Sequence, residues 1–149
     1  MHAAPSISIV MLNYNGLRYL RRTVPAMTAL THPGLEAMVV DNGSTDGSVE
    51  FLEAQPGIRL VRSPRTGDKN FACNLAIAQA AGDYVFLLDN DVVMTDPELF
   101  AGLVPFYEES VNPGFVSVAL HNEGENTSES YGAFLSWSLV RMTPRIPLA

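Results

Sequence analysis

The hydrophobic pattern alternates between short, nearly continuous apolar runs and longer runs of helical spacing. "SISIVMLN", Ser6 to Asn13, is β-branched and apolar at its centre, as a strand buried on both faces would be. "NYNG" breaks it. Leu17, Leu20, Val24, Met27 and Leu30 then recur at steps of three or four residues, which predicts a helix with Arg18, Arg21 and Arg22 on its other side. Pro25 falls inside that pattern and is expected to bend or divide the helix. "THPG" closes the unit. "EAMVV" predicts a second strand ending at Val40, followed by the polar turn "DNGSTDGS" and a short helix around Ser48 to Ala54. "IRLVRS" reads as a third strand and "PRTGDK" as a loop. "NFACNLAIAQAAG" reads as a helix with Gly82 as its C-cap glycine, and "DYVFLL" as a fourth strand. "TDPELFAGLVPFYEES" predicts a helix with Thr95 or Asp96 as N-cap and Pro97 at its first position. "GFVSVAL" predicts a fifth strand.

Strand–helix alternation implies crossover units, hence a mainly parallel sheet with helices on both faces. Ligands of such sheets bind outside the carboxyl ends of the strands. Three polar turns fall at those ends: "NYNG", "DNGSTDGS" and "DND". Residues distant in the chain are therefore expected to meet along one edge. The signal decays after Leu120. "HNEGENTSES" reads as a polar loop, "YGAFLSWSLVRM" is ambiguous between strand and helix, and "TPRIPLA" is a tail with two prolines.

Composition narrows the class. The 149 residues suit one domain with a real core, and 47% apolar content with 17% charged is globular rather than disordered. A net charge of −7 argues against a nucleic-acid binder built on a broad basic face. One cysteine, Cys73, excludes an internal disulfide and a cysteine-based zinc site. No basic segment precedes the first apolar run, and no run approaches the ~18 apolar residues of a membrane helix. A cytoplasmic domain without a membrane segment is the expectation. "NTS" at Asn126–Ser128 fits a glycosylation sequon but reads as loop.

The chemistry concentrates in "YVFLLDNDVV". Asp89 and Asp91 end a buried strand with only Asn90 between them. Two such carboxylates suit a hard divalent cation, and magnesium or manganese completes its shell with waters and substrate phosphates. They equally suit a solvated turn in which Asp side chains cap backbone groups. Asp41 could accept a hydrogen bond from the imide N–H of uracil or thymine. Alternatively, Asp41 and Asn42 form a turn around Gly43, with Ser44, Thr45 or Asp46 capping the next helix. "NYNG" could offer backbone carbonyls and the Tyr14 ring to a base, or be a plain strand-to-helix turn with Asn15 as N-cap. Arg65 and Lys69 could face phosphates or be ordinary surface charges. Asn74 reaches the ligand edge or bonds locally, and Cys73 reads as a small core residue. His2, His32 and His121 share no metal-ligand spacing, and no G-x-x-x-x-G-K-[ST] or G-x-G-x-x-G is present.

In this order, "SISIVMLNYNG", "MVVDNGSTDGS" and "ACNLAIAQAAGDYVFLLDNDV" resemble the start of the family-2 inverting nucleotide-sugar glycosyltransferases of the GT-A fold. The resemblance covers about Ile7 to Leu120, within one domain spanning 1–149 whose core is 6–120; 121–149 matches poorly. It implies an α/β, Rossmann-like donor-binding portion without the acceptor-binding half. It places Asn13, Tyr14 and Asn15 along the nucleobase pocket, Asp41 on the base, and Asn42, Gly43 and Ser44 in the supporting turn. Asn74 matches an A-R-N asparagine, with Cys73 where arginine is frequent. That departure removes a positive charge from the diphosphate, which Lys69 or Arg65 could restore. Asp89 is expected near the ribose and Asp91 on a Mn2+ or Mg2+ ion, with Asn90 between them and Asp89 as a second metal residue.

The implied activity is metal-dependent transfer, with inversion, from a UDP- or dTDP-sugar to an unknown acceptor. Inversion needs a carboxylate to deprotonate the acceptor hydroxyl. Beyond Glu109 only Glu123, Glu125 and Glu129 remain, in no base motif, so no catalytic base is assigned. The chain reads as a piece of a larger enzyme, as a short homologue completed by a partner, or as a non-catalytic nucleotide-sugar-binding module. A nucleotidyltransferase is a further reading, for which "NYNG" lacks the usual glycine-rich loop. Apolar surface left by a missing second half makes a homodimer an expectation.

Overall fold

A computed structural model describes residues 4–110, 120–121, 128–129 and 139–141. Four parallel strands, β1 (Ile7–Asn13), β2 (Leu35–Asp41), β3 (Ile58–Arg62) and β4 (Tyr84–Asp89), alternate with helices α1 (Leu17–Thr28), α2 (Ser48–Glu53), α3 (Lys69–Gln79) and α4 (Leu99–Glu109). Three two- or three-residue strands follow: β5 (Leu120–His121), β6 (Ser128–Glu129) and β7 (Leu139–Arg141). The main sheet runs β3-β2-β1-β4-β7, and β7 lies antiparallel to β4. Most of "GFVSVAL" lies outside the described residues, as do Glu123 and Glu125. Its last residue, Leu120, begins β5, which pairs antiparallel with β6 inside the segment expected to be loop. The ambiguous "YGAFLSWSLVRM" supplies β7.

The continuous apolar runs are explained by two cores. Ile7, Ile9 and Met11 of β1, with Val39, Phe86 and Leu88, face α1, α2 and α4. Val10, Met38, Val40 and Val85 face the alanine surface of α3, at Ala72 and Ala76. Alternating side chains thus enter opposite layers, so neither face can be polar. Phe86 meets Phe100 edge-on at 5.3 Å between ring centroids, which seats α4 on the sheet.

Three local expectations are corrected. Pro25 does not divide α1, which runs through it. Pro25 is exposed, where water can hydrate the carbonyl that loses its N–H partner. Gly82 is not a helix C-cap: α3 ends at Gln79 and Ala80 is already extended. Its role is close approach. A Cβ on Gly82 would lie 2.5 Å from the backbone nitrogen of Ser8, and its own N–H donates to Ser8 Oγ at 2.9 Å. α4 starts at Leu99 rather than Pro97. Asp96 Oδ1 instead accepts from the Glu98 N–H at 2.9 Å, a turn that leads into the helix.

At the amino edge of the sheet, Glu36 accepts from Ser8 Oγ, the Ala81 N–H and Arg59. Burial pushes its carboxyl up, but these donors together outweigh burial and hold it below the usual value. Every polar group named there has a partner within the fold. The carboxyl edge is different.

Candidate functional site

The register brings the three turns together. Asn13 of β1 lies opposite Asp41 of β2, and Leu12 lies opposite Asp89 of β4. Asn13 is fully buried at the centre of this edge. Its Nδ2 donates to Asp41 Oδ1 at 3.0 Å and to Ser44 Oγ at 3.1 Å, using both of its hydrogens. Its Oδ1 accepts from Asn90 Nδ2 at 2.8 Å. One side chain therefore ties the turn after β2 to the mouth of β4. Gly16 leaves room for the bridge: a Cβ there would sit 2.0 Å from Asn90 Nδ2 and 2.4 Å from Asn13 Oδ1.

The turn after β2 is internally closed around Asp41. Asp41 is 3% exposed, and its Oδ2 accepts from the N–H groups of Gly43, at 3.1 Å, and Ser44, at 2.9 Å. Gly43 has φ 92°, and a Cβ on it would lie 2.5 Å from Thr66 Oγ1. Asn42 donates its N–H to the Asn13 carbonyl and accepts from the Gly67 N–H, which fixes it between β1 and the loop before α3. Its Oδ1 is buried and has no partner among the described residues. An orphan acceptor of this kind costs about 1–3 kcal/mol unless something donates to it.

"NYNG" joins the same turn. Asn15 is not the N-cap of α1; Gly16 is, without a side-chain bond. Asn15 takes a left-handed conformation, φ 48°, and its Oδ1 accepts from the Thr45 N–H at 2.8 Å. Its own N–H donates to Ser44 Oγ at 2.8 Å. The helix N–H at Leu17 is instead met by Asp46 Oδ2, whose other oxygen accepts from the Ser48 N–H and hydroxyl. Tyr14 is left with its ring 52% exposed at the rim.

The β4 mouth has a different character. Asp89 is half-buried and Asp91 is exposed, and no backbone N–H among the described residues donates to either carboxylate. Burial first, and the neighbouring Asp91 charge next, push the Asp89 carboxyl up; Lys69 pulls it down without cancelling them. Lys69, the first residue of α3, places Nζ 3.6 Å from Asp89 Oδ1. Cys73 stands one helical turn further along. Burial raises its thiol, Lys69 opposes that and Asp89 reinforces it. Arg65 is held elsewhere, 3.9 Å from Asp68 and over the Phe71 ring at 4.1 Å. Asn74 is exposed on α3, apart from the network around Asn13.

Two carboxylates without backbone donors, one of them electrostatically strained, fit a cation that takes one or two protein oxygens and completes its shell from substrate phosphates. No group of three His, Cys, Asp or Glu gathers among the described residues. Three contributors escaped the sequence reading. They are the room at Gly16, the closeness of Thr66 to where a Gly43 Cβ would sit, and the cap that Asp46 gives the Leu17 N–H. The glycines of "NYNG" and "DNG" were the only visible signal for the first two.

Residues 8–144 match the profile of "Glycosyl transferase family 2". An uncharacterized glycosyltransferase of Mycobacterium tuberculosis is 33% identical over 106 residues, covering 70% of this chain and 40% of that protein. Mannosyltransferase PcManGT from Pyrobaculum calidifontis, solved with GDP-Man and Mn2+, superposes with TM-score 0.68 at 25% identity, over 77% of this chain and 35% of that one. Staphylococcus aureus TarS, residues 1-349, shares the fold with TM-score 0.61 at 23% identity, over 70% of this chain and 32% of that one. The chain spans well under half the length of each. Among the described residues no helix is long and apolar enough to cross a membrane.

Proposed function

This chain belongs to glycosyl transferase family 2, and we propose that it is the donor-binding portion of a metal-dependent glycosyltransferase that takes its sugar, with inversion, from a UDP- or dTDP-sugar. The observation that carries this reading is the meeting, on one sheet edge bridged by Asn13, of Asp41 with two carboxylates that receive no backbone N–H among the described residues. Asp41 is the residue that would accept the imide N–H of a uracil or thymine, with the Asn42–Ser44 turn supporting it. Three N–H groups hold the Asp41 carboxylate in place, and a carboxylate offers about four acceptor positions. Tyr14 offers an exposed ring against which a base can stack.

Asp91 and Asp89 are the residues that would hold Mn2+ or Mg2+. Bound there, such a cation supplies Lewis-acid neutralisation of the charge left on the departing nucleoside diphosphate. The mannosyltransferase solved with GDP-Man and Mn2+ supports a nucleotide-sugar donor and a divalent cation. Because that protein takes a guanine nucleotide, the choice of base is tested directly rather than carried over.

Calorimetric titration of UDP, dTDP and GDP, with and without Mn2+, separates these claims. UDP or dTDP is expected to bind at least about tenfold more tightly with Mn2+, a difference of about 1.4 kcal/mol. Asp91→Ala is expected to remove that dependence. Equal affinity with and without metal in the parent protein would overturn the metal claim, and a preference for GDP would overturn the base claim. Incubation with UDP-sugars then distinguishes transfer or hydrolysis from a module that only binds.

A further inference from the structure

We infer that Lys69 is a built-in counterion that occupies Asp89 before the cation does, and that it swings to the donor's diphosphate when the cation arrives. The inference deepens the donor-binding reading and rests on it. Lys69 Nζ lies 3.6 Å from Asp89 Oδ1, with the lysine side chain 64% exposed and the carboxylate 32% exposed. The contact is too long and too wet to be a fixed structural bridge. Yet it is the only positive charge that the described residues bring to this carboxylate pair. Arg65, the other cation of the loop, is engaged by Asp68 and Phe71.

The position matters as much as the distance. Lys69 opens α3, and the next turn of the helix carries Cys73, which feels both Lys69 and Asp89. Lysine is a flexible point charge, so it can change partners across a few ångströms without moving the helix. A divalent cation held by Asp89 and Asp91 would share the Asp89 carboxylate with Nζ. The two positive charges repel, and the lysine has to leave. A diphosphate held by the cation is then the nearest anion to receive it. Lys69 thereby weakens metal binding alone and strengthens metal binding with diphosphate, which makes cation and donor arrive together.

Electron paramagnetic resonance of free Mn2+ measures the first half, and calorimetric titration of preformed Mn2+–pyrophosphate into each protein measures the second. Without nucleotide at low salt, Lys69→Met is expected to bind Mn2+ on the order of fivefold more tightly than the parent, the range of an exposed charge pair. With pyrophosphate present the order is expected to reverse, the parent binding the Mn2+–pyrophosphate pair more tightly. Lys69→Arg should follow the parent in both, and added salt should shrink both differences. Unchanged or weaker Mn2+ binding by Lys69→Met alone overturns the counterion role. Tighter Mn2+ binding without the pyrophosphate reversal overturns the swing. Absence of Mn2+ binding by any of the proteins, with or without pyrophosphate, overturns the metal reading as well, which separates the two failures.

Discussion

Asp41 and Asp89 both end parallel strands at one edge of the same sheet, yet they live in opposite electrostatic worlds. Asp41 is almost fully buried, and its oxygens accept from Asn13, Gly43 and Ser44. Asp89 is half-buried beside a second carboxylate, and among the described residues it receives no backbone N–H and faces one loosely placed lysine. Burial without donors raises a carboxyl, whereas burial among donors builds a turn. The difference teaches which carboxylate is scaffold and which is poised for an outside partner.

The largest expected effect tests the scaffold side. Asp41→Ala would strand three N–H donors around a buried site. It is expected to cost about 2–4 kcal/mol of stability, read as a lower urea midpoint. Asp91→Ala, at an exposed position, is expected to stay within about 0.5 kcal/mol of the parent. Equal losses from the two substitutions would erase the distinction between turn and mouth.

A smaller effect tests the bridge between them. Asn90→Ala removes the donor to Asn13 Oδ1 and is expected to cost about 1 kcal/mol. Its sharper readout is coupling. If Asn13 and Asn90 carry strain from one turn to the other, the gain in nucleotide affinity on adding Mn2+ should shrink in Asn90→Ala. Gly16→Ala should act the same way, because its Cβ displaces the Asn90 amide. An undiminished metal effect in both variants would leave the two turns independent.

The alternation of strands and helices was legible because period and turn chemistry agree throughout Ile7 to Glu109. The meeting of Asn13, Asp41 and Asp89 followed from parallel topology alone. Other features depended on tertiary neighbours. Gly82 looked like a cap, but the approach of Ser8 decides its role. Asn15 looked like an N-cap, but Thr45 and Ser44 claim it. Lys69 was visible as a charge, whereas its distance to Asp89 needed the packing of α3 on the sheet. That Asn42 Oδ1 finds no partner among the described residues could not be read from sequence, since satisfaction of an acceptor belongs to the whole surrounding shell.

The smallest effect concerns Asp89 and its pH dependence. Because its folded carboxyl is raised above the unfolded value, the folded state binds the proton more readily than the unfolded chain does. Between those two values stability falls as pH rises, and above the folded value the penalty is complete. Asp89→Asn removes the titrating group while keeping its shape. Without metal, the variant should melt at or slightly above the parent near neutral pH. The gap should close as pH drops through the folded value toward the ordinary carboxylate range. Glu36 and Asp46, whose carboxyls are held low by their donors, lose stabilisation on acidification in both proteins and cancel in the difference. Added Mn2+ should invert the order at neutral pH, because only the parent keeps the Asp89 carboxylate to bind it. A variant that melts well below the metal-free parent at neutral pH would mean that the Lys69 pairing outweighs burial, and that Asp89 belongs with Asp41 as scaffold.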